Sequence, residues 1–239
     1  MQRSLEPEIL DSLPPNHPDA LHNRRDLRRI NRIMRNHAWI ERALPPLLGP
    51  GERALELGAG TGELGLRLVR AGAAVDGLDL WPRPDTWPEG HAWHEADLLK
   101  FAGYGEYAAV VGNLIFHQFS AEDLAALGQR ITAGGTRIVV ACEPARWRSS
   151  QMLFRTLGPL LGANYVSLHD GHVSIAAGFV GEELPQALGL DPAAWRIHCS
   201  TTPLGAYRMV AVRKEKGEKE SGCRSQERAA GTQPGARGA

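Results

Sequence analysis

Between residues 53 and 71 an apolar segment runs into three glycines spaced two apart and then into an amphipathic segment. The turn, ALELGAGTG over residues 54–62, puts Gly58, Gly60 and Gly62 where the backbone must reverse tightly and where a Cβ would hold a bound group away. Leu64, Leu68 and Ala71 then share one helical face, and Gly72 stops the helix. A strand, a glycine turn and a helix form the front of a βαβ unit, whose next strand lies parallel after a right-handed crossover. No other feature of the chain restricts its fold as strongly.

The segments that follow keep the alternation going. Residues 74–80, 93–96, 107–113 and 136–142 read as successive strands, the last a continuous apolar run suited to the centre of a sheet. Ser120-x-x-Asp123 is a capping box opening a helix with Leu124, Leu127 and Ile131 on one face, ended by Gly134 and Gly135. Two more helices are expected around 150–158 and 182–188. Residues 196–200 and 207–213, separated by a Pro/Gly turn, close the chain as an antiparallel hairpin. The expected fold is α/β: a doubly wound, mostly parallel seven-stranded sheet with its last strand antiparallel. Such sheets bind ligands at the carboxyl ends of their strands.

Composition narrows the class. The 239 residues hold 27 basic and 27 acidic side chains, so global charge gives no reason to expect a nucleic-acid partner. Cys142, Cys199 and Cys223 are few and far apart, without a C-x-x-C pair, which implies neither a disulfide framework nor structural zinc. The first 15 residues carry Glu6, Glu8 and Asp11 and no apolar run, unlike a secretory leader. No apolar run reaches the roughly 18 residues that span a bilayer. A cytoplasmic protein is the expectation. The expected division is an N-terminal helical arm or lid over 1–50, a catalytic domain over 51–213, and a tail over 214–239. The tail has no large apolar side chain and is expected to be disordered.

The glycine turn admits two ligands. Gly60-Thr-Gly62-Glu-Leu-Gly65 matches the dinucleotide pattern G-x-G-x-x-G, with Asp79 about 20 residues on as a ribose acceptor. Glu56 tilts the choice, because a carboxylate two residues before Gly58 would repel a pyrophosphate and favour a cationic amine or sulfonium. The closing hairpin is also atypical of dehydrogenases. With Glu-x-Gly-x-Gly-x-Gly in place, residues 53–113 resemble a class I S-adenosylmethionine-dependent methyltransferase with its Rossmann-like fold. The resemblance implies S-adenosyl-L-methionine as cofactor. It implies that Glu56 and the backbone of Gly58, Gly60 and Gly62 border the methionine part, and that Asp79 accepts from the ribose. Leu80 and Trp81 would then flank the adenine, Asp97 with Leu98 would receive its amino group, and Asn113 would line the floor near the methyl.

The acceptor is less legible. After Asn113 the chain reads LIFHQF, without the Asn/Asp-Pro-Pro-aromatic motif of amino-methylating nucleic-acid enzymes, and no Pro-Cys nucleophile occurs. A small-molecule acceptor is favoured. His117 is one candidate base, against a capping or packing role. Residues 164–179 are polar and aromatic where a plain crossover would be short, and in the resembled family such insertions shape the acceptor pocket. His169 within them is the preferred base, against a surface role. His172, and His91 with His94, lack a third ligand, so no metal is expected. The layout around 182–184 and residues 7–34 resembles quinone- and polyketide-type small-molecule methyltransferases. The implied reaction is methylation of an oxygen or carbon of a phenolic, quinone- or polyketide-like aromatic metabolite.

Residues 22–35 hold six arginines against one aspartate. As a helix over 19–35 they put Leu27, Ile30 and Met34 on one face and Arg25, Arg29 and Arg32 opposite. Three readings compete: an RNA-phosphate arm, a membrane-surface helix, and a lid over the active site with a solvated basic back, the last favoured. The alternatives to a small-molecule enzyme are an RNA methyltransferase using this helix and a non-catalytic cofactor-binding protein.

Overall fold

The computed structural model describes residues 1–14, 16–160 and 162–215. The expected tail, with Cys223, lies almost wholly outside them. Strands β1 (Arg53–Leu57), β2 (Ala74–Asp79), β3 (Trp93–Glu95), β4 (Ala109–Asn113), β5 (Ile138–Pro144), β6 (Trp195–Thr201) and β7 (Ala206–Arg213) form one sheet. Their order is β3-β2-β1-β4-β5-β7-β6, with β7 antiparallel to both neighbours and the other pairings parallel. All seven expected strands are present. The largest shift is in β5, which begins and ends two residues later than the apolar run indicates, so Glu143 is part of the strand.

Period-two alternation divides the core between the two faces. Leu55 and Leu57 of β1 and Val139 of β5 pack on one side, with Leu124 and Leu127. Ala54, Ile138 and Val140 pack on the other, with Leu64 and Leu68. Helix α4 (Glu63–Arg70) follows the glycine turn, and α5 (Ala121–Ala133) starts at the expected capping box, where the Asp123 N–H donates to Ser120 Oγ at 3.0 Å. Helices α6 (Arg148–Leu160) and α8 (Glu183–Ala187) also occupy expected segments.

Three helices were not legible in advance: α1 (Ile9–Ser12), α3 (Asn36–Ala43) and α7 (Tyr165–Ala177). Helix α3 does not belong to a lid, because Ile40 and Leu44 at its end are fully buried among the core residues of α4 and the sheet. The segment over 164–179 is largely a helix. Asn164 caps it by accepting the Ser167 N–H, and it is helical to Ala177. The arginine helix, α2 (Pro18–Met34), starts on a proline at its first position and ends at Arg35 in the left-handed region. Among the described residues no helix is long and apolar enough to cross a membrane.

Candidate active site

A cavity of about 970 Å³ lies at the carboxyl ends of β1, β2, β4 and β5, roofed by α1, α2, α6 and α7. Its sheet side holds most of the cofactor residues expected from sequence. Gly58, Gly60 and Gly62 all have positive φ, which a side chain would make costly. Gly58 and Gly60 line the cavity; Gly62 does not, because Trp87 packs against it and a Cβ there would meet Trp87 at 2.8 Å. Asp79 ends β2, its Oδ2 accepting the Gly60 N–H at 2.7 Å and its Oδ1 the Trp81 N–H at 2.9 Å. The carboxylate thus fixes the glycine turn, and each oxygen keeps a second lone pair for a ligand.

Glu56 is buried at the end of β1, and among the described residues its Oε2 has no hydrogen-bond partner. Burial pushes its carboxyl up to about 8; the Gly65 N–H opposes the rise and the Asp79 charge adds to it. The unpartnered Oε2 packs toward Gly65, 2.6 Å from where a Cβ there would stand, while the residue itself lines the cavity, so a cation held there would favour the ionised form of the carboxyl. Leu80 is exposed at the rim, and Arg24 of α2 stacks on Trp81 with its guanidinium 4.0 Å from the ring centre. Asp97 and Leu98 also line the cavity, and Asp97 accepts the Leu99 N–H at 2.9 Å. Asn113 donates to Asn31 Oδ1 at 3.1 Å and contacts His37 Nε2 at 3.4 Å, while its own Oδ1 is buried without a partner among the described residues. Burial, reinforced by Arg67, lowers His37 to about 4, so its imidazole is neutral.

The two histidine candidates separate completely. His169 stands on the outer side of α7, 42% exposed, contacting Asp170 at 3.2 Å and lining no part of the cavity. The helix explains this: Asp170, one residue and about 100° further round, takes the inward position. His117 is buried in the cavity wall. Its Nδ1 lies 2.6 Å from Glu143 Oε2 and its Nε2 3.4 Å from Glu8 Oε1. Burial alone would lower the imidazole, but attraction and hydrogen bonds from Glu143 and Glu8 raise it to about 9. It is therefore an imidazolium at neutral pH and not a free base. His91 and His94 have structural partners, the Val75 carbonyl at 2.7 Å and the Tyr107 hydroxyl at 2.8 Å.

Glu143 escaped sequence reasoning. It ends the apolar run of β5 and accepts three consecutive backbone N–H groups, from Ile115, Phe116 and His117, at 2.9 to 3.2 Å. Leu114, with φ of 58°, turns the chain after β4 so that those groups converge. The signal was available: a lone carboxylate closing a buried strand needs partners.

The N-terminal arm completes the roof. Arg3 donates to the carbonyls of Ala177, His117 and Phe119 and lies over the Phe179 ring. Asp170 accepts the N–H groups of Ile9 at 2.8 Å and Leu10 at 3.1 Å, tying α1 to α7. This brings Glu8 into the wall, where it also accepts from Ser174 Oγ at 2.5 Å. Helix α2 lies across the opening, with Leu27, Ile30 and Met34 lining the cavity. Its buried residues are Ala20, Asn23 and Asp26, and Asp26 accepts from Ser167 Oγ of α7 at 2.8 Å. Several arginines have partners within the protein: Arg24 on Trp81, Arg28 with Glu63, Arg29 with Asp26 and Arg25 with His22.

The sheet order, the glycine turn and the reversed β7 define the Rossmann-like fold of methyltransferases. Among solved structures with this architecture, the plantazolicin methyltransferase BpumL in complex with SAH is similar over 86% of this chain and 93% of its own, with TM-score 0.67 and 11% identity. The pyocyanin biosynthetic protein PhzM is similar over 83% of this chain and 60% of its own, with TM-score 0.54 and 20% identity. No family model and no curated protein matches the sequence.

Proposed function

We propose that the protein is an S-adenosylmethionine-dependent methyltransferase acting on an oxygen or carbon of a small aromatic metabolite of the phenolic, quinone or polyketide type. The observation that carries this reading is Glu56: a buried carboxyl of raised pKa at a strand end, lining the cavity beside glycines of positive φ and Asp79. A ligand with ammonium and sulfonium groups stabilises its ionised form, and a pyrophosphate does not. The SAH complex of BpumL supports the same cofactor.

S-adenosylmethionine, when bound, supplies a methyl group already activated on sulfur. Glu56 with the Gly58 and Gly60 backbone would hold its cationic end, and Asp79 its ribose hydroxyls. Leu80, Trp81, Asp97 and Leu98 would surround the adenine, with Asn113 at the floor. The rest is alignment of an acceptor, which well-placed groups accelerate without covalent chemistry. An acceptor hydroxyl brought to this corner would hydrogen-bond to Glu8, the carboxylate that, against its burial, His117 holds below its ordinary value, and an acceptor oxygen in its anionic form would be stabilised there by the His117 imidazolium. Glu143 positions His117 and keeps it charged. The partnered arginines of α2 favour a lid over an RNA-binding arm.

Turnover tests the proposal: SAH formation from S-adenosylmethionine across a panel of phenols, naphthols and quinols, with Asp79→Ala as control. Acceptor-dependent SAH formation by wild type, lost in the variant, is expected. A folded wild type that binds neither S-adenosylmethionine nor SAH would refute it.

A further inference from the structure

His117, Glu8 and Ser174 form a polar corner, but the cavity wall leading away from them is apolar. Leu10, Leu13, Phe154 and Ile175 continue it toward α6, whose remaining polar lining is Ser149 and Ser150. At the opening Ile33, Leu153, Leu157 and Leu204 line the cavity and are also 43% to 54% exposed. Exposed large apolar side chains are ordinarily scattered singly over a surface. These four come from α2, α6 and the β6–β7 turn and border one opening. Leu153, Leu157 and Leu160 fall at i, i+4 and i+7, one face of α6; the first two line the cavity and Leu160, 80% exposed, continues the strip outside it. The stretch 145–164 contains no acidic residue.

We infer that the acceptor is amphipathic: a hydroxyl-bearing aromatic head lies at His117 and Glu8, and an apolar tail follows α6 out between Ile33, Leu153, Leu157 and Leu204. This rests on the proposed function for the identity of the head, not for the tail channel. The occupant is fixed by continuity, since Leu153 and Leu157 belong to the cavity that holds the polar corner and do not form a separate outer face. The volume, near the upper end for single-ligand pockets, accommodates a cofactor together with an extended acceptor. Specificity would then be divided, with charge selecting the head and buried methylenes setting affinity.

Calorimetric titration of 4-ethyl-, 4-butyl-, 4-hexyl- and 4-octylphenol, with and without saturating SAH, tests the inference. Affinity should rise about fourfold per methylene as each is buried. Leu153→Gln with Leu157→Gln should flatten the series while leaving 4-ethylphenol and SAH affinities within about twofold, the latter showing that the fold is intact. A flat series in wild type overturns the inference, as does a slope the double variant leaves unchanged. So does a flat series accompanied by a dimer in sedimentation that the double variant dissociates, which would assign the strip to a second copy of the chain. A chain-length trend without SAH binding keeps the tail channel and rejects the functional reading. SAH binding with a flat series does the reverse.

Discussion

Replacing Glu143 with glutamine should make the protein less stable by an amount that depends on pH in a particular direction. The carboxylate accepts three backbone N–H groups and the His117 Nδ1 proton, and the imidazole is raised from 6.5 to about 9. A histidine whose folded value exceeds its unfolded value contributes stability fully below pH 6.5, and that contribution fades as pH rises through 9. At 1.36 kcal/mol per unit the shift corresponds to about 3 kcal/mol. Glutamine keeps the shape but removes the charge, and its NH2 group faces donors that need an acceptor. The loss at pH 6.5 should be about 3–5 kcal/mol, the cost of breaking a buried pair from one side. By pH 9.5 wild type has itself lost most of the ion pair, and the difference should shrink to about 1–2 kcal/mol of unsatisfied hydrogen bonding. Glu56, whose raised carboxyl also lowers stability as pH rises from 4.5 through 8, is present in both proteins and cancels. Urea denaturation at pH 6.5, 8 and 9.5 reads the difference directly. A difference that stays constant across that range would refute the clamped-imidazolium account.

Other consequences follow from the same geometry. For the proposed reaction, kcat/KM should decline above about pH 9 as His117 loses its proton, and Glu143→Gln should move that limb to lower pH; a limb that stays put would remove Glu143's positioning role. His169→Ala should change turnover by less than about twofold, because the ring lies outside the cavity. Asp170→Asn should accelerate amide hydrogen exchange across residues 1–34 with little effect on the sheet, since it weakens the bonds holding Ile9 and Leu10. Gly128→Ala should destabilise by about 2 kcal/mol or more, seen as a drop of several degrees in Tm, because its Cβ would fall 1.9 Å from the rigid Leu188 carbonyl.

The sheet was legible because its determinants are local. Apolar strands alternate with glycine-stopped helices, and Gly58 and Gly60 occupy the positive-φ positions that their spacing implies. The capping box at Ser120 was readable for the same reason. Helix α7 was not, because α1, α2 and α6 pack around it and its apolar residues are spread around the axis with no single stripe. The polar corner at His117 depends on contacts across 109 residues between Glu8 and His117 and 26 between His117 and Glu143, which no local pattern encodes. His169 was preferred for its place in a polar segment, but helical geometry turned Asp170 inward instead. A lone charge closing a buried strand, as Glu143 does, requires partners that lie far away in sequence.

Proton-linked calorimetry reads whether Glu56 takes up a cation. With its carboxyl near 8, Glu56 is mostly protonated at pH 7, and a sulfonium with an ammonium beside it should drive the proton off. Titrating S-adenosylmethionine at pH 7 in two buffers of different ionisation enthalpy should show one site and release of close to one proton. That release should disappear in Glu56→Gln. Binding with no proton release would contradict the role given to Glu56, and no binding by the folded protein would contradict the account as a whole.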